Sequence, residues 1–138
     1  MSDGAPRVSD RRGRQELRVA ALPEPISHYT DAVRAGELLF VSGCVPVDAD
    51  GNLVAGDVVA QTRQVFRNIA LVLEAAGAGF GDVVKVTVFL TDIDDRPAVN
   101  TVRQEVFGAS RPASTLVEVS RLAIPGARIE VEAVAWVP

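Results

Sequence analysis

The chain has 138 residues, 48% of them hydrophobic, and its 14 basic and 18 acidic side chains give a formal net charge of −4. This length is enough to bury one core and too short for two well-built domains. The negative charge has the wrong sign for neutralising nucleic-acid phosphates, so we expect no nucleic-acid partner.

Single histidine and cysteine residues restrict the metal and redox chemistry open to the chain. His28 is the one histidine and Cys44 the one cysteine, which excludes an internal disulfide and fits a reducing compartment. Two such residues fall short of the three or four ligands of a usual zinc site, so we expect no metal. The glycines of residues 77–81 follow a predicted helix and precede a predicted strand, the reverse of a phosphate-binding loop. We interpret them as a turn and expect no cofactor.

Polar composition separates the start of the chain from the rest. Residues 1–16 include a basic cluster at residues 11–14 and cannot bury enough surface to offset the entropy of ordering. We expect a flexible, solvated tail there and a single domain at residues 17–138. Contact of the basic cluster with an acidic partner is the alternative. No later segment reaches the roughly 20 apolar residues that span a bilayer, which predicts a cytoplasmic protein with no membrane partner.

Hydrophobic spacing predicts five strands and two helices in the domain. In chain order they are strands at residues 17–21 and 37–42, a helix at 58–76, a strand at 83–90, a helix at 95–108, and strands at 115–119 and 128–137. The first helix has apolar residues at intervals of three and four, with Asp57 as its N-cap and Gly77 beyond its end. This order predicts an α+β fold in which two helices cover one face of a mixed sheet.

The apolar strands leave one face of the predicted sheet in need of a cover. Residues 37–42 contain a continuous apolar run, typical of a strand buried on both faces. In the strand at residues 83–90, one face is predicted to hold Val84, Val86, Val88 and Leu90. Because two helices cover only one face, a second copy of the chain is the simplest cover for the other. A sparse, partly exposed aliphatic surface is the alternative.

Four segments, in the same order along the chain, together show a family resemblance. They are Ile26-Ser27-His28-Tyr29 with Ala32-Val33, Leu39-Phe40-Val41-Ser42-Gly43 with Val45-Pro46, the helix and strand between Gln61 and Asn100, and residues 111–119 with 129–135. The set resembles the Rid family, also called YjgF. The resemblance implies a chorismate-mutase-like α+β protomer and a homotrimer whose sheets face one another around a central axis. It also implies clefts between the subunits that bind a small carboxylate- or imine-like molecule.

The resemblance further implies an activity and the residues that perform it. The best-known members hydrolyse 2-imino or enamine acids to 2-oxo acids and ammonia, using a glutamate that positions or activates water. By motif, the catalytic glutamate is Glu130, and Tyr29, Ser42 and Asn100 are implied to bind substrate. A strand carboxylate is commonly just solvated. Partial burial at an interface would instead raise the pKa of Glu130 and suit proton transfer near neutral pH.

Several positions depart from the family pattern. Ser114 stands where members of the deaminase class have the arginine that binds the substrate carboxylate, so recognition must differ. Arg111, three residues upstream, is a candidate replacement, and a solvent-facing arginine is the alternative. Cys44 and His28 replace the usual glutamine and proline. They either bring a thiol and a titratable group to the cleft or are a packed thiol and an accommodated loop histidine.

The sequence leaves two functions open. The first is a Rid-like deaminase or hydrolase acting on a small imine, enamine or related carboxylate, with Ser42, Ser114, Tyr29 and Asn100 orienting the substrate. Without the arginine, it is expected to differ from a standard 2-iminopropionate deaminase. The alternative is a non-catalytic trimer that binds a small metabolite or acts in regulation. A ribonuclease is disfavoured by the negative charge and by the lack of a histidine pair for acid–base cleavage.

Overall fold

In a computed structural model that describes residues 6–8 and 13–138, the chain forms a seven-stranded mixed sheet and two α-helices. The strands are β1 (Pro6–Val8), β2 (Arg14–Leu17), β3 (Ala32–Ala35), β4 (Leu38–Cys44), β5 (Val83–Leu90), β6 (Ala113–Glu118) and β7 (Ile129–Trp136). The helices are α1 (Val58–Ala75) and α2 (Arg96–Phe107), with short 3-10 turns at Phe80–Asp82 and Ile93–Asp95. The α+β class predicted from the sequence is confirmed.

The strands lie side by side in the order β1-β2-β3-β4-β7-β5-β6, so β6 forms one edge of the sheet. Neighbouring strands are antiparallel except β5 and β6, which α2 joins as a parallel βαβ unit. The C-terminal strand β7 therefore lies well inside the sheet, with β4 on one side and β5 on the other.

Helix α1 begins and ends close to the predicted residues. The Asp57 side chain accepts a hydrogen bond from the Ala60 amide at 3.0 Å, as an N-cap residue does. Gly77 follows the helix with a φ of 77°, a conformation that favours glycine. The apolar side of α1 packs on the sheet through Val65, Phe66, Ile69, Val72 and Leu73.

Helix α2 packs in the same hydrophobic core as α1. It accommodates Pro97 in its first turn, where no intrahelical amide donor is lost, and it buries Val99 and Val102. Strand β7 faces both helices with the predicted alternating set Ile129, Val131, Ala133 and Ala135. Among the described residues, no helix has the length and apolarity needed to cross a membrane.

One residue of β5 lies on the opposite face from the predicted one. The register between β5 and β7 shifts between Val83 and Lys85, so Val84 is 47% exposed while Val83 is buried. The prediction that Val84 shares a face with Val86 and Val88 is therefore wrong. The prediction assumed that side chains alternate strictly along the strand. An irregular register is not visible in the sequence, and beyond such an irregularity the side chains point to the opposite face of the sheet.

The sheet starts before the predicted domain boundary at residue 17. Strand β1 and the first three residues of β2 belong to the segment predicted as a flexible tail. Residues 1–5 and 9–12 lie outside the described residues, and with them most of the basic cluster. Polar composition limits side-chain burial, but the ladder of a strand is made by backbone groups that nearly every residue supplies.

Strand β3 is missing from the sequence prediction, and the strand predicted at residues 17–21 coincides with β2 only at Leu17. Leu17 pairs in register with Ala32, and both side chains are buried. Beyond Leu17 the chain leaves the ladder, because the Val19 amide donates to the Asp31 carboxylate at 2.7 Å instead of to a strand. A strand of four residues is too short for hydrophobic periodicity to identify.

The face of the sheet opposite the helices is exposed in one protomer. Phe40 on β4 is 46% exposed and Trp136 on β7 is 49% exposed. Leu38 on β4 and Val84 on β5 are also exposed. The apolar run in β4 is therefore buried by its own chain on the helix face alone, and the prediction of burial on both faces is not met within one protomer.

Candidate ligand site

Three of the predicted substrate-binding residues line one open cavity at the end of β4. The cavity has a volume of about 100 Å³ and lies between α1 and the segment at residues 22–31. Tyr29, Ser42 and Cys44 contribute to its wall. Much of the remaining wall is apolar and consists of Leu22, Pro23, Ile26, Val45, Val47 and Val72. Such a composition is typical of sites for small molecules.

Hydrogen bonds fix the backbone around Ser42. Its Oγ donates to the Thr30 carbonyl at 2.6 Å, and its amide donates to the Asp31 carbonyl at 3.0 Å. Ser42 therefore joins the end of β4 to the loop that contains Tyr29. Because its hydroxyl proton is used within the protein, Ser42 is left to accept a hydrogen bond from a ligand.

A buried ion pair that the sequence analysis missed forms another part of the wall. Asp31, which lines the cavity, is 8% exposed and accepts a hydrogen bond from Arg18 Nη1 at 2.6 Å. Arg18 also donates to the carbonyls of Val19 and Leu22. Pairing makes the buried charge tolerable and holds the residues on either side of the cavity together. A lone aspartate in a loop gives no periodic signal from which this pair could be found.

The predicted catalytic glutamate lies beside this cavity, against a glycine. The Glu130 carboxylate packs on Gly43, which lines the cavity. A Cβ atom at position 43 would lie 2.0 Å from Glu130 Oε2, so glycine is needed for the carboxylate to occupy this place. Glu130 is half-buried, and burial raises its pKa, with a smaller contribution from the charge of Glu132. The predicted desolvation of Glu130 is therefore present within a single protomer.

Cys44 has a protonated thiol at neutral pH. The pKa of Cys44 is raised to about 12, mainly by burial and further by the negative charges of Asp31 and Glu130. The Sγ atom lies 3.5 Å from the Ser42 carbonyl, to which it donates a weak hydrogen bond. Because the thiolate is the reactive form, Cys44 lines the cavity as a packed thiol and not as a nucleophile. We call Tyr29, Ser42, Cys44 and Glu130 the cavity group.

A second polar group lies on α2 and the edge strand β6. Ser114 accepts a hydrogen bond from Arg103 Nη2 at 2.9 Å. Asn100 is exposed one turn before Arg103, on the same side of α2. Arg103 was not among the residues singled out from the sequence, yet its guanidinium contacts Ser114, the residue that stands where the resemblance expects an arginine. We call Asn100, Arg103 and Ser114 the α2–β6 group.

Comparison with known proteins identifies the family of the chain. Residues 19–137 match the family model described as Endoribonuclease L-PSP. A RutC family protein of Pyrococcus horikoshii is 49% identical over 115 residues, which cover 83% of this chain and 90% of that protein. A crystal structure of a Rid family protein from Yersinia pestis has a TM-score of 0.85 at 36% identity, covering 90% of this chain and 99% of that one. The chain belongs to the Rid family. The 2-iminobutanoate/2-iminopropanoate deaminase of Salmonella typhimurium is 41% identical over 116 residues, which cover 82% of this chain and 90% of that protein.

Two residues singled out from the sequence take no part in the cavity wall or in the Arg103–Ser114 contact of this Rid protein. Arg111 is exposed in the loop before β6, and His28 is exposed in the loop before Tyr29. Neither lines the cavity at the end of β4. Across the part of the chain that the structure describes, no three His, Cys, Asp or Glu side chains are grouped as metal ligands.

One protomer of this Rid protein keeps the cavity group and the α2–β6 group apart. Ser42 and Cys44 on β4 are three strand spacings from β6, about 14 Å, and Glu130 on β7 is two spacings away, about 10 Å. Glu130 and Ser114 also lie on opposite faces of the sheet. Ser114 is in register with the buried Val86 on the helix face, whereas Glu130 is in register with Phe89 on the opposite face. The residues predicted to form one site therefore do not meet within a single chain.

Proposed function

We propose that this Rid protein is a homotrimeric hydrolase that deaminates a small imine or enamine carboxylate in clefts between its subunits. The observation that carries the proposal is the position of Glu130. Its carboxylate is half-buried against Gly43, a residue of the cavity wall, and its pKa is raised. A carboxylate in this state exchanges protons near neutral pH more readily than a solvated one.

The chemistry needs one proton acceptor that later becomes a donor. Glu130 accepts a proton from water as the water oxygen attacks the imine carbon, and the electron pair of the C=N bond moves to nitrogen, which takes up a proton. The hydroxyl proton of the resulting carbinolamine then passes through Glu130 to the nitrogen, and the C–N bond breaks as the carbonyl forms and ammonia leaves. The product is a 2-oxo acid, and no oxidant or reductant is consumed. An enamine enters the same sequence once its carbon is protonated.

Assembly is proposed because one protomer supplies incomplete sites. Glu130 and Ser114 lie on different strands and on opposite faces of the sheet, so two copies are needed to bring the cavity group and the α2–β6 group to one ligand. The exposed apolar face at Phe40 and Trp136 supports burial against other copies of the sheet. Among the described strands β6 forms an edge of the sheet, and a second subunit can approach Ser114 there.

The substrate class follows from the relatives and from one departure. The Salmonella relative is named for 2-iminobutanoate and 2-iminopropanoate, which supports an imine carboxylate as substrate. Ser114 stands on β6 where the resemblance expects an arginine, so the carboxylate must be recognised differently from the arginine-bearing relatives. We therefore propose that imine or enamine acids other than 2-iminopropionate are preferred.

Turnover of imines generated in solution by an amino-acid oxidase tests this function. We expect the protein to release ammonia from these imines faster than buffer does. We expect it to hydrolyse 2-iminopropionate more slowly than the Salmonella deaminase does. Glu130→Gln should lower the rate per assembled trimer by about 10²–10⁴-fold. Glu132→Gln, which removes a neighbouring carboxylate from the same strand, is the matched control and should lose less than about tenfold. A wild-type protein that binds 2-oxo acids but hydrolyses none of the imines would be the non-catalytic binding trimer.

A further inference from the structure

Near the edge of the sheet lies a half-buried arginine that forms no ion pair with any carboxylate of residues 13–138. Arg103 on α2 points to β6 and donates from Nη2 to Ser114 Oγ at 2.9 Å. Partial burial lowers the pKa of Arg103, because desolvation disfavours its charged form. Serine is neutral and compensates little of that cost.

The carboxylates of the surrounding elements do not neutralise Arg103. Glu105, the one acidic residue of α2, is paired with Arg63 of α1 at 2.6 Å. Glu118 on β6 accepts a hydrogen bond from the Ile93 amide and lies four residues from Ser114, about 13 Å along a strand. Among residues 13–138, no carboxylate forms an ion pair with Arg103.

The guanidinium keeps donors for a ligand. Of its five N–H groups, one is used on Ser114, which fixes the orientation of the planar group against β6. Two parallel N–H groups on a guanidinium match the two oxygens of a carboxylate. Asn100, one turn away on the same side of α2, adds an amide that can donate to the same ligand.

We propose that Arg103 is the residue that binds the substrate carboxylate in this protein, with its guanidinium held in place by Ser114. The inference rests on the proposed function and deepens it, because it assigns the cation that recognises an anionic substrate. The cation comes from helix α2 instead of strand β6, and a hydroxyl occupies the strand position. The exposed Arg111 is not needed for this role.

Binding of 2-oxobutanoate, a 2-oxo acid, tests the assignment without relying on turnover. Calorimetry compares its affinity for the full-length protein with that of the neutral 2-oxobutanamide. Arg103→Gln should weaken 2-oxobutanoate binding by about 10- to 100-fold, the loss of a charge-assisted contact, and should change 2-oxobutanamide binding much less. Arg67→Gln removes an exposed cation of α1 that bonds Gln64, and it should leave both affinities unchanged.

A relocated arginine distinguishes a missing charge from general damage. The double variant Arg103→Ser with Ser114→Arg returns the guanidinium to β6 and should regain 2-oxobutanoate affinity to within about tenfold of wild type. Thermal melting of each variant verifies that the protein is folded and assembled. Recovery in a folded double variant supports a guanidinium at this place as the anion-binding group.

Other outcomes would overturn the assignment. If the Arg103→Gln variant binds 2-oxobutanoate with wild-type affinity, Arg103 does not recognise the carboxylate. The same conclusion follows if the variant loses equal affinity for 2-oxobutanoate and for 2-oxobutanamide. Absence of 2-oxobutanoate binding to the wild-type protein also rejects it. Failure of the proposed function would look different. If 2-oxobutanoate binding depends on Arg103 but no imine is hydrolysed, the assignment of Arg103 stands and the proposed catalytic activity is rejected.

Discussion

The Glu130 carboxylate occupies the space that a side chain at Gly43 would need. A Cβ atom there would lie 2.0 Å from Oε2 and 3.0 Å from Cδ of Glu130. Strand β7 thus presents its acid to the end of β4 because position 43 has no side chain. The chemistry of Glu130 and the identity of residue 43 are coupled through this contact.

Gly43→Ala should reduce activity far more than stability. The methyl group meets the end of a flexible side chain, so Glu130 can rotate away while the strands remain paired. Displacement of a general base by about 1 Å or more is expected to cost around 100-fold in rate. Melting curves and reaction rates of Gly43→Ala and the wild-type protein, measured in parallel, distinguish a loss of activity from a loss of stability. A large fall in melting temperature with proportionate loss of activity would mean that the contact is structural.

Glu130 should also weaken the fold at neutral pH. Its folded pKa is raised above an ordinary value of about 4.3, so the folded state binds this proton more tightly than the unfolded state. The resulting stabilisation is complete at pH below the unfolded pKa and is lost as pH rises through the folded pKa. Glu130→Gln should therefore melt higher than wild type at pH 8, with a smaller difference at pH 4. A lower melting temperature at pH 8 would indicate that Glu130 pairs with a cation across a subunit interface.

Cys44 should resist alkylation. With a pKa raised to about 12, its thiolate fraction at pH 8 is about 10³-fold below that of a free cysteine. Iodoacetamide labelling followed by mass spectrometry should be slower by a similar factor, and its rate should still increase between pH 8 and pH 10. The denatured protein, in which the thiol is solvated, is the control. Rapid labelling of the native protein would show that the thiol is activated.

The exposed apolar face should be required for assembly. Phe40→Glu places a charge where we propose that other subunits pack, so light scattering should show a shift from a trimer towards the 14.6 kDa monomer. Phe40→Leu keeps the surface apolar and should remain trimeric. A wild-type protein that is a stable monomer at micromolar concentration would reject both the trimer and the sites between subunits.

Long periodic elements of this chain were predictable, whereas short or irregular ones were not. Helix α1 has 18 residues with an apolar side and a capping aspartate, and its predicted bounds are close to those observed. Strand β3 has four residues and is defined by its partners, which a local pattern does not contain. The face of Val84 depends on an irregular register with β7, and that is a property of two strands.

The candidate site was predictable where the sequence retains family motifs. Tyr29, Ser42 and Cys44 line one cavity, and Glu130 lies beside it. Arg103 was missed because its role depends on proximity across a helix and a strand, eleven residues from Ser114 in the chain. The sequence did contain one indication of Arg103, because a protein without an arginine at position 114 needs another cation near that position to bind a carboxylate.

The separation of the cavity group from the α2–β6 group has a genetic consequence. If each cleft takes Glu130 from one subunit and Arg103 from another, chains lacking one residue can complement chains lacking the other. Glu130→Gln and Arg103→Gln proteins, unfolded together in equal amounts and refolded, should form mixed trimers in which about one quarter of the clefts contain both native residues. The mixture should then be more active than either parent, up to about one quarter of the wild-type rate. If subunit exchange is verified and the mixture is still no more active than its parents, a single chain supplies both residues to each cleft. A defect in one subunit would then affect only the cleft of that subunit.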